Sequence, residues 1–193
     1  RELSMEYDYF IPRLLDILDS FSIKAQFFVC GKVIEYYPVL FYSIVQKGHG
    51  LGGHGYMHER LVGLPYHAQR KVILHTKNII KELLKKEVIS WRSPRLASNF
   101  STFKALREEG FKLTSTTTAK QPIIINGILE IPIKKLDGDI VGYDNPKHWR
   151  YWIQYMKNAI MNTRSNLLVF DFHIWLQMKY DPKLEGLRNI LSW

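Results

Sequence analysis

The order of the apolar runs most limits the folds open to this chain: short unbroken runs alternate with amphipathic ones. Leu14, Leu15, Ile17, Leu18 and Phe21 form an apolar face at helical spacing within 11–21, with Pro12 suited to a first turn. Residues 23–30, IKAQFFVC, then read as a buried strand stopped by Gly31. Helices are predicted over 36–47, with Pro38 near the start and Gly48 past the end, over 65–86, and over 98–109, stopped by Gly110. Strands at 88–91 and 111–115 follow the second and third of these. Asn126-Gly127 marks a hairpin turn between 123–125 and 128–133. Residues 134–147 read as a polar surface loop, 148–161 as a helix and 167–173 as a strand, and Asp181-Pro182 caps and begins a last helix. This alternation predicts an α/β architecture with a mostly parallel sheet or barrel. At the N-terminus, residues 3–8, LSMEYD, read as the end of a first strand, which would put Glu6 and Asp8 on one side.

A chain of 193 residues, 46% hydrophobic and 23% charged, fits a single domain over 1–193 that buries its own core. Its one cysteine, Cys30, excludes an internal disulfide and a cysteine-rich zinc finger. The apolar neighbours Phe27, Phe28 and Val29 suit a small buried hydrophobe better than a reactive thiol. No apolar run approaches the roughly 18 residues of a membrane helix. No signal peptide is visible, and the chain opens on Arg1, so the compartment stays open between cytoplasmic and exported. The net charge of +9 comes without any nucleic-acid reading motif. The missing motif argues against a nucleic-acid partner, and the charge fits attraction to an anionic glycan, or simple solubility. Nothing in the sequence fixes the oligomeric state.

Residues 48–61, GHGLGGHGYMHERL, carry His49, His54 and His58 among five glycines. On a helix the H-x-x-x-H pair His54 and His58 would share one face and reach a common point. Two neutral imidazoles so placed are two legs of a divalent metal site; two solvated surface histidines are the plain alternative. A glycine-rich approach suits a loop leaving a strand end, where α/β folds carry their sites.

Four stretches, in order, resemble the polysaccharide deacetylases, the NodB-homology family of carbohydrate esterases. Residues 14–31, LLDILDSFSIKAQFFVCG, are similar to that family's helix followed by its KATFFV-G strand. Residues 48–58 resemble its GHE-[IL]-x-N-H-[ST]-x-x-H motif, WRSP at 91–94 its R-x-P motif, and FDFHIW at 170–175 its late L-x-H motif. The resemblance implies a distorted (β/α) barrel of the NodB-homology type with its site at the strand C-termini. It implies a divalent metal, usually zinc, held by one Asp and by two histidines, here His54 and His58. That Asp belongs to a first motif, T-F-D-D or D-x-[DE], and Glu6-Tyr7-Asp8 sits in its place. Either Asp8 is the ligand and Glu6 the general base, or Glu6 is the ligand and no base remains. The implied activity is metal-dependent removal of N-acetyl groups from a chitin-like or peptidoglycan-like glycan, with Arg92 orienting the base and His173 protonating the departing amine. The chain departs from the pattern at Gly50, where the family has Glu, at Gly53 for Asn, at Gly55 for Ser or Thr, and at Arg95 for an aromatic. Two other readings stay open: a carbohydrate-binding barrel without the chemistry, and a metal-dependent hydrolase of another small amide.

Tyr56, Trp91 and Trp175 adjoin motif residues and read as stacking surfaces for sugar rings, or as packing. His49 reads as structural, and Asp137 and Asp139 as turn residues of a glycine-containing loop. Asp171 shares a side with His173 if their strand is regular. Without the resemblance, His173 is a satisfied core histidine and Arg92 a surface arginine.

Overall fold

A computed structural model describes residues 5–193. A helical turn over Glu6–Phe10 runs into α1 (Ile11–Ser20). Then come β1 (Gln26–Val29), α2 (Gly31–Tyr36), α3 (Pro38–Gln46), β2 (Gly50–Gly53), α4 (Tyr66–Leu84), β3 (Ser90–Trp91), α5 (Phe100–Glu108) and β4 (Leu113–Thr114). The hairpin β5 (Ile123–Ile125) and β6 (Ile128–Glu130) follows, then β7 (Lys135–Leu136), α6 (Asp137–Val141), α7 (Arg150–Met161), β8 (Phe170–Asp171), α8 (Ile174–Tyr180) and α9 (Glu185–Leu191). The chain divides into two compact units, residues 24–132 and residues up to 23 together with 133–193.

The unit 24–132 is built on a six-stranded sheet in the order β1-β2-β3-β4-β6-β5. Every pair is parallel except β5 with β6, whose turn holds Asn126 and Gly127 at φ 49° and 78°, as a two-residue hairpin of primed type requires. On α4 the buried residues Gln69, Ile73, Thr76, Ile80 and Leu84 recur at three- to four-residue spacing and face inward, while Leu83 stays 43% exposed. Asn99 caps α5: its side chain accepts from the Thr102 N–H, and Thr102 Oγ1 accepts from the Asn99 N–H.

β2 reads Gly-Leu-Gly-Gly because its neighbours' side chains lie across it. A Cβ on Gly53 would stand 2.6 Å from the ring of Trp91, which is fully buried, packs edge-on against Phe111 at 5.6 Å and donates its indole N–H to Ser93 Oγ at 3.1 Å. Gly53→Ala must displace that ring. The expected result is a loss of about 1–3 kcal/mol, read as a lower urea midpoint at unchanged m-value.

Gly31 opens a helix instead of closing a strand. A Cβ there would lie 3.1 Å from both Tyr56 Cδ2 and Ile79 Cδ1, so close packing at a helix start demands the glycine that the sequence suggests as a stop.

In the other unit β7 and β8 pair in parallel, Leu136 opposite Asp171. The core is Val141, Trp152, Ile153, Met156, Leu176 and Tyr180. The surface loop expected over 134–147 is replaced by β7 and the short helix α6. The pairing that makes β7 is with β8, far along the chain. Asp181 accepts from the N–H groups of Gly186 and Leu187, both at 3.1 Å, satisfying the first turn of α9; burial pushes its carboxyl above the usual carboxylate range. The strand expected at 3–8 is corrected too: Glu6–Phe10 is helical, while Leu3 and Ser4 lie outside the described residues. Among the described residues no helix is long and apolar enough to cross a membrane.

Candidate functional site

His54 is the first residue beyond β2, and its N–H is held by the Val29 carbonyl at 3.0 Å. Its Nδ1 stands 2.8 Å from the carbonyl oxygen of Arg92. A carbonyl only accepts, so Nδ1 carries the proton; in the neutral ring the lone pair would then lie on Nε2, the tautomer a metal ligand needs. The His58 ring lies beside it, centroids 5.0 Å apart and inclined at 62°. Residues 54–58 are not helical, contrary to the expectation from H-x-x-x-H spacing. A turn with Gly55 at φ 77° and His58 at φ 64° folds the two rings together instead.

Arg92 follows β3 and is 8% exposed, so the surface-arginine reading fails. Its Nε donates to Ser115 O at 2.8 Å and one terminal nitrogen to Ser115 Oγ at 2.9 Å. The guanidinium lies over the Phe28 ring at 4.4 Å. Beneath the histidine turn, the Cys30 thiol donates to His54 O at 3.1 Å. Burial first, then the Glu59 charge, pushes that thiol up to about 12, outweighing the His58 backbone N–H. It stays neutral and is no nucleophile. His49 is structural, as expected: buried, its Nδ1 accepts from Ala25 N–H at 3.2 Å.

In the other unit His173 stands at the N-terminal end of α8, just past β8. Its backbone N–H donates to Asp137 Oδ2 at 3.0 Å and its Nδ1–H to Asp137 Oδ1 at 2.7 Å. Asp137 is 1% exposed and also accepts from Gly138 N–H at 2.8 Å and from the Tyr180 hydroxyl at 3.2 Å. Four donors meet on one buried carboxylate, and the contact to Nδ1 orients the imidazole and places a proton on Nδ1. Sequence reasoning assigned Asp137 to turn chemistry and missed it; the available signal was the apolar flank Leu136, Ile140 and Val141, out of place in a surface loop. Asp171 Oδ2 is 3.9 Å from His173 Nε2, too far for a hydrogen bond. Burial, then Asp139, Asp137 and Asp171, pushes the nearby Tyr143 phenol up to about 12.

Glu6 and Asp8 share a helical turn, so their side chains diverge instead of sharing the side a strand would give them. Glu6 is half-buried, and that burial pushes its carboxyl above the usual range, while Asp8 is exposed. Of the three aromatics, Trp91 is sealed in the core and stacks on no sugar. Tyr56 rests on His75, centroids 4.6 Å apart, and Trp175, 43% exposed, flanks His173 at 6.0 Å. Among the described residues no three His, Cys, Asp or Glu side chains are grouped to hold a metal ion; the histidine pair, with its tautomer set, fits two of the ligands a divalent metal requires.

Residues 5–114 match the family model for polysaccharide deacetylase. The chain belongs to the polysaccharide deacetylase family. A peptidoglycan deacetylase of Helicobacter pylori is 31% identical over 102 residues, covering 53% of this chain and 35% of that protein. The match thus spans about a third of the length of that relative. A solved Mycobacterium smegmatis protein of polysaccharide deacetylase type superposes with a TM-score of 0.83 at 25% identity, over 94% of this chain and 69% of that one. An allantoinase superposes with a TM-score of 0.84 at 19% identity, over 98% of this chain and 67% of that one, a likeness of fold alone. The α/β fold of this deacetylase-family chain is the distorted (β/α)-barrel type that its sequence implies. Within it, His54, His58 and Arg92 meet in one unit, and His173 meets Asp137 in the other.

Proposed function

We propose that this chain catalyses metal-dependent removal of N-acetyl groups from a peptidoglycan-like or chitin-like glycan. The observation that supports it most is the His54–His58 pair, with His54 Nδ1 committed to the Arg92 carbonyl; Nε2 is the ligand atom in this reading. In this reading His54, His58 and Asp8 would hold a divalent ion, and their nitrogen and oxygen donors suit zinc. The ion, when bound, supplies a water acidic enough to act as nucleophile near neutral pH. Glu6 takes the water's proton; its half-buried carboxyl, made more basic by burial, suits that task. Arg92 orients the base through charge-assisted hydrogen bonds. His173, aimed by Asp137, gives a proton from Nε2 to the departing amine. Peptidoglycan is the first substrate to try, since the Helicobacter pylori relative is named for it.

A second reading, a carbohydrate-binding barrel without catalysis, is favoured by the divergence of Glu6 and Asp8 on their helical turn. Metal content of the purified chain separates the two, measured beside acetate release from peptidoglycan and chitin oligomers. Stoichiometric metal with acetate release supports the deacetylase; no metal and no release supports the binding barrel. Bound metal without acetate from any glycan points to a different small amide. Asp8→Asn and Glu6→Gln then assign the carboxylates: the ligand's variant loses metal, and the base's variant keeps metal but loses rate.

A further inference from the structure

The turn that carries both histidines departs from the family motif at Gly55, where Ser or Thr is usual. Gly55 sits at φ 77°, and a Cβ there would lie 2.9 Å from Glu59 Oε2 and 3.2 Å from Pro94 Cγ. Backbone and space together exclude a hydroxyl residue from this position. The turn is fastened in other ways. The Gly31 N–H donates to Gly55 O at 2.9 Å and the Lys32 N–H to Tyr56 O at 3.0 Å. The Cys30 thiol holds His54 O, and the Tyr56 hydroxyl donates to Glu35 Oε2 at 3.0 Å. All of these reach residues 54–56. Past Tyr56, the His58 backbone N–H is hydrogen-bonded to the Cys30 sulfur, and Glu59 Oε2 accepts from the Tyr56 N–H at 2.9 Å. That bond closes a loop of backbone with His58 inside it, and His58 is a non-glycine residue in left-handed conformation at φ 64°. Such a conformation persists where its surroundings over-determine it.

We propose that Glu59 is a positioning residue for His58: by holding the 56–59 turn closed it sets the angle at which the two imidazoles converge, and thereby the affinity for a divalent metal. The assignment rests on the metal-dependent reading above.

Competition titration with a chromophoric chelator gives the zinc Kd of the purified chain, and urea denaturation gives the stability of the metal-free form. Glu59→Ala is expected to raise the zinc Kd by about 10- to 100-fold, as loss of a ligand's orienting partner does. Glu59→Gln keeps a side-chain carbonyl for the Tyr56 N–H and is expected to restore the Kd to near that of the wild type. Gly55→Ala displaces the same carboxylate from the other side and is expected to weaken zinc binding as Glu59→Ala does, which keeps the test in force if Glu59→Ala does not fold. A merely structural role would lower metal-free stability and leave the Kd alone. Unchanged zinc binding in Glu59→Ala overturns the positioning role while the metal site stands. Glu59→Gln as weak as Glu59→Ala overturns it too, because charge and not turn closure would then matter. A wild type that binds no zinc removes the metal-dependent reading and this assignment with it.

Discussion

His54→Ala is expected to strip the purified chain of divalent metal and to cut acetate release by at least a thousandfold, about 4 kcal/mol of barrier. The size follows from what a bound ion does for water, whose pKa falls from about 15.7 to about 7 on a catalytic zinc. Folding should barely notice. The lost ring is half-buried, and its Nδ1–H bond to Arg92 O is worth about 1 kcal/mol. Elemental analysis, acetate assay and urea denaturation on the same preparation separate these effects. Wild-type metal content in His54→Ala would remove His54 from the ligand set.

Asp137→Ala is expected to be the most damaging single change to stability. It leaves four donors without their acceptor: the backbone N–H and Nδ1–H of His173, the Gly138 N–H and the Tyr180 hydroxyl. At about 1–3 kcal/mol for each buried polar group left unsatisfied, and allowing for relaxation, the loss should be about 3–5 kcal/mol, a large part of a typical domain's 5–15. His173→Ala makes the informative contrast. Its side chain is 34% exposed, so stability should change little, while the rate should fall by about 10²–10⁴, the usual worth of a positioned general acid. Metal content should be unchanged in His173→Ala. A variant that folds, keeps its metal and releases acetate at the wild-type rate would show that His173 transfers no proton in the rate-limiting step.

The parts of this molecule legible in its sequence are those set by local chemistry. The Asn126-Gly127 turn, the span of α4 and the Gly48 stop after α3 each follow from a few adjacent residues, and each stands where expected within a residue or two. The glycine strand β2 was obscured because its reason, the Trp91 ring lying across Gly53, sits on another strand. Asp137 was missed on the same ground: its four donors come from its own neighbour and from residues 36 and 43 positions away. The H-x-x-x-H pair was recognised while its geometry was misread, since helical spacing and a glycine-assisted turn bring two rings together equally well. Glu6 and Asp8 show the reverse error. Alternation suggested a strand, but the segment leads directly into α1 and continues its helix, so tertiary context overrode a weak local pattern.

His58 at φ 64° carries a consequence for anyone improving this molecule. A left-handed backbone penalises most L-residues by about 1–2 kcal/mol and spares glycine, so a screen for heat resistance would reward His58→Gly. Run on the metal-free chain, such a screen would discard the imidazole proposed as a metal ligand, whose contribution to stability registers only when the ion is bound, and residue 58 therefore belongs on the list of positions such a campaign leaves untouched.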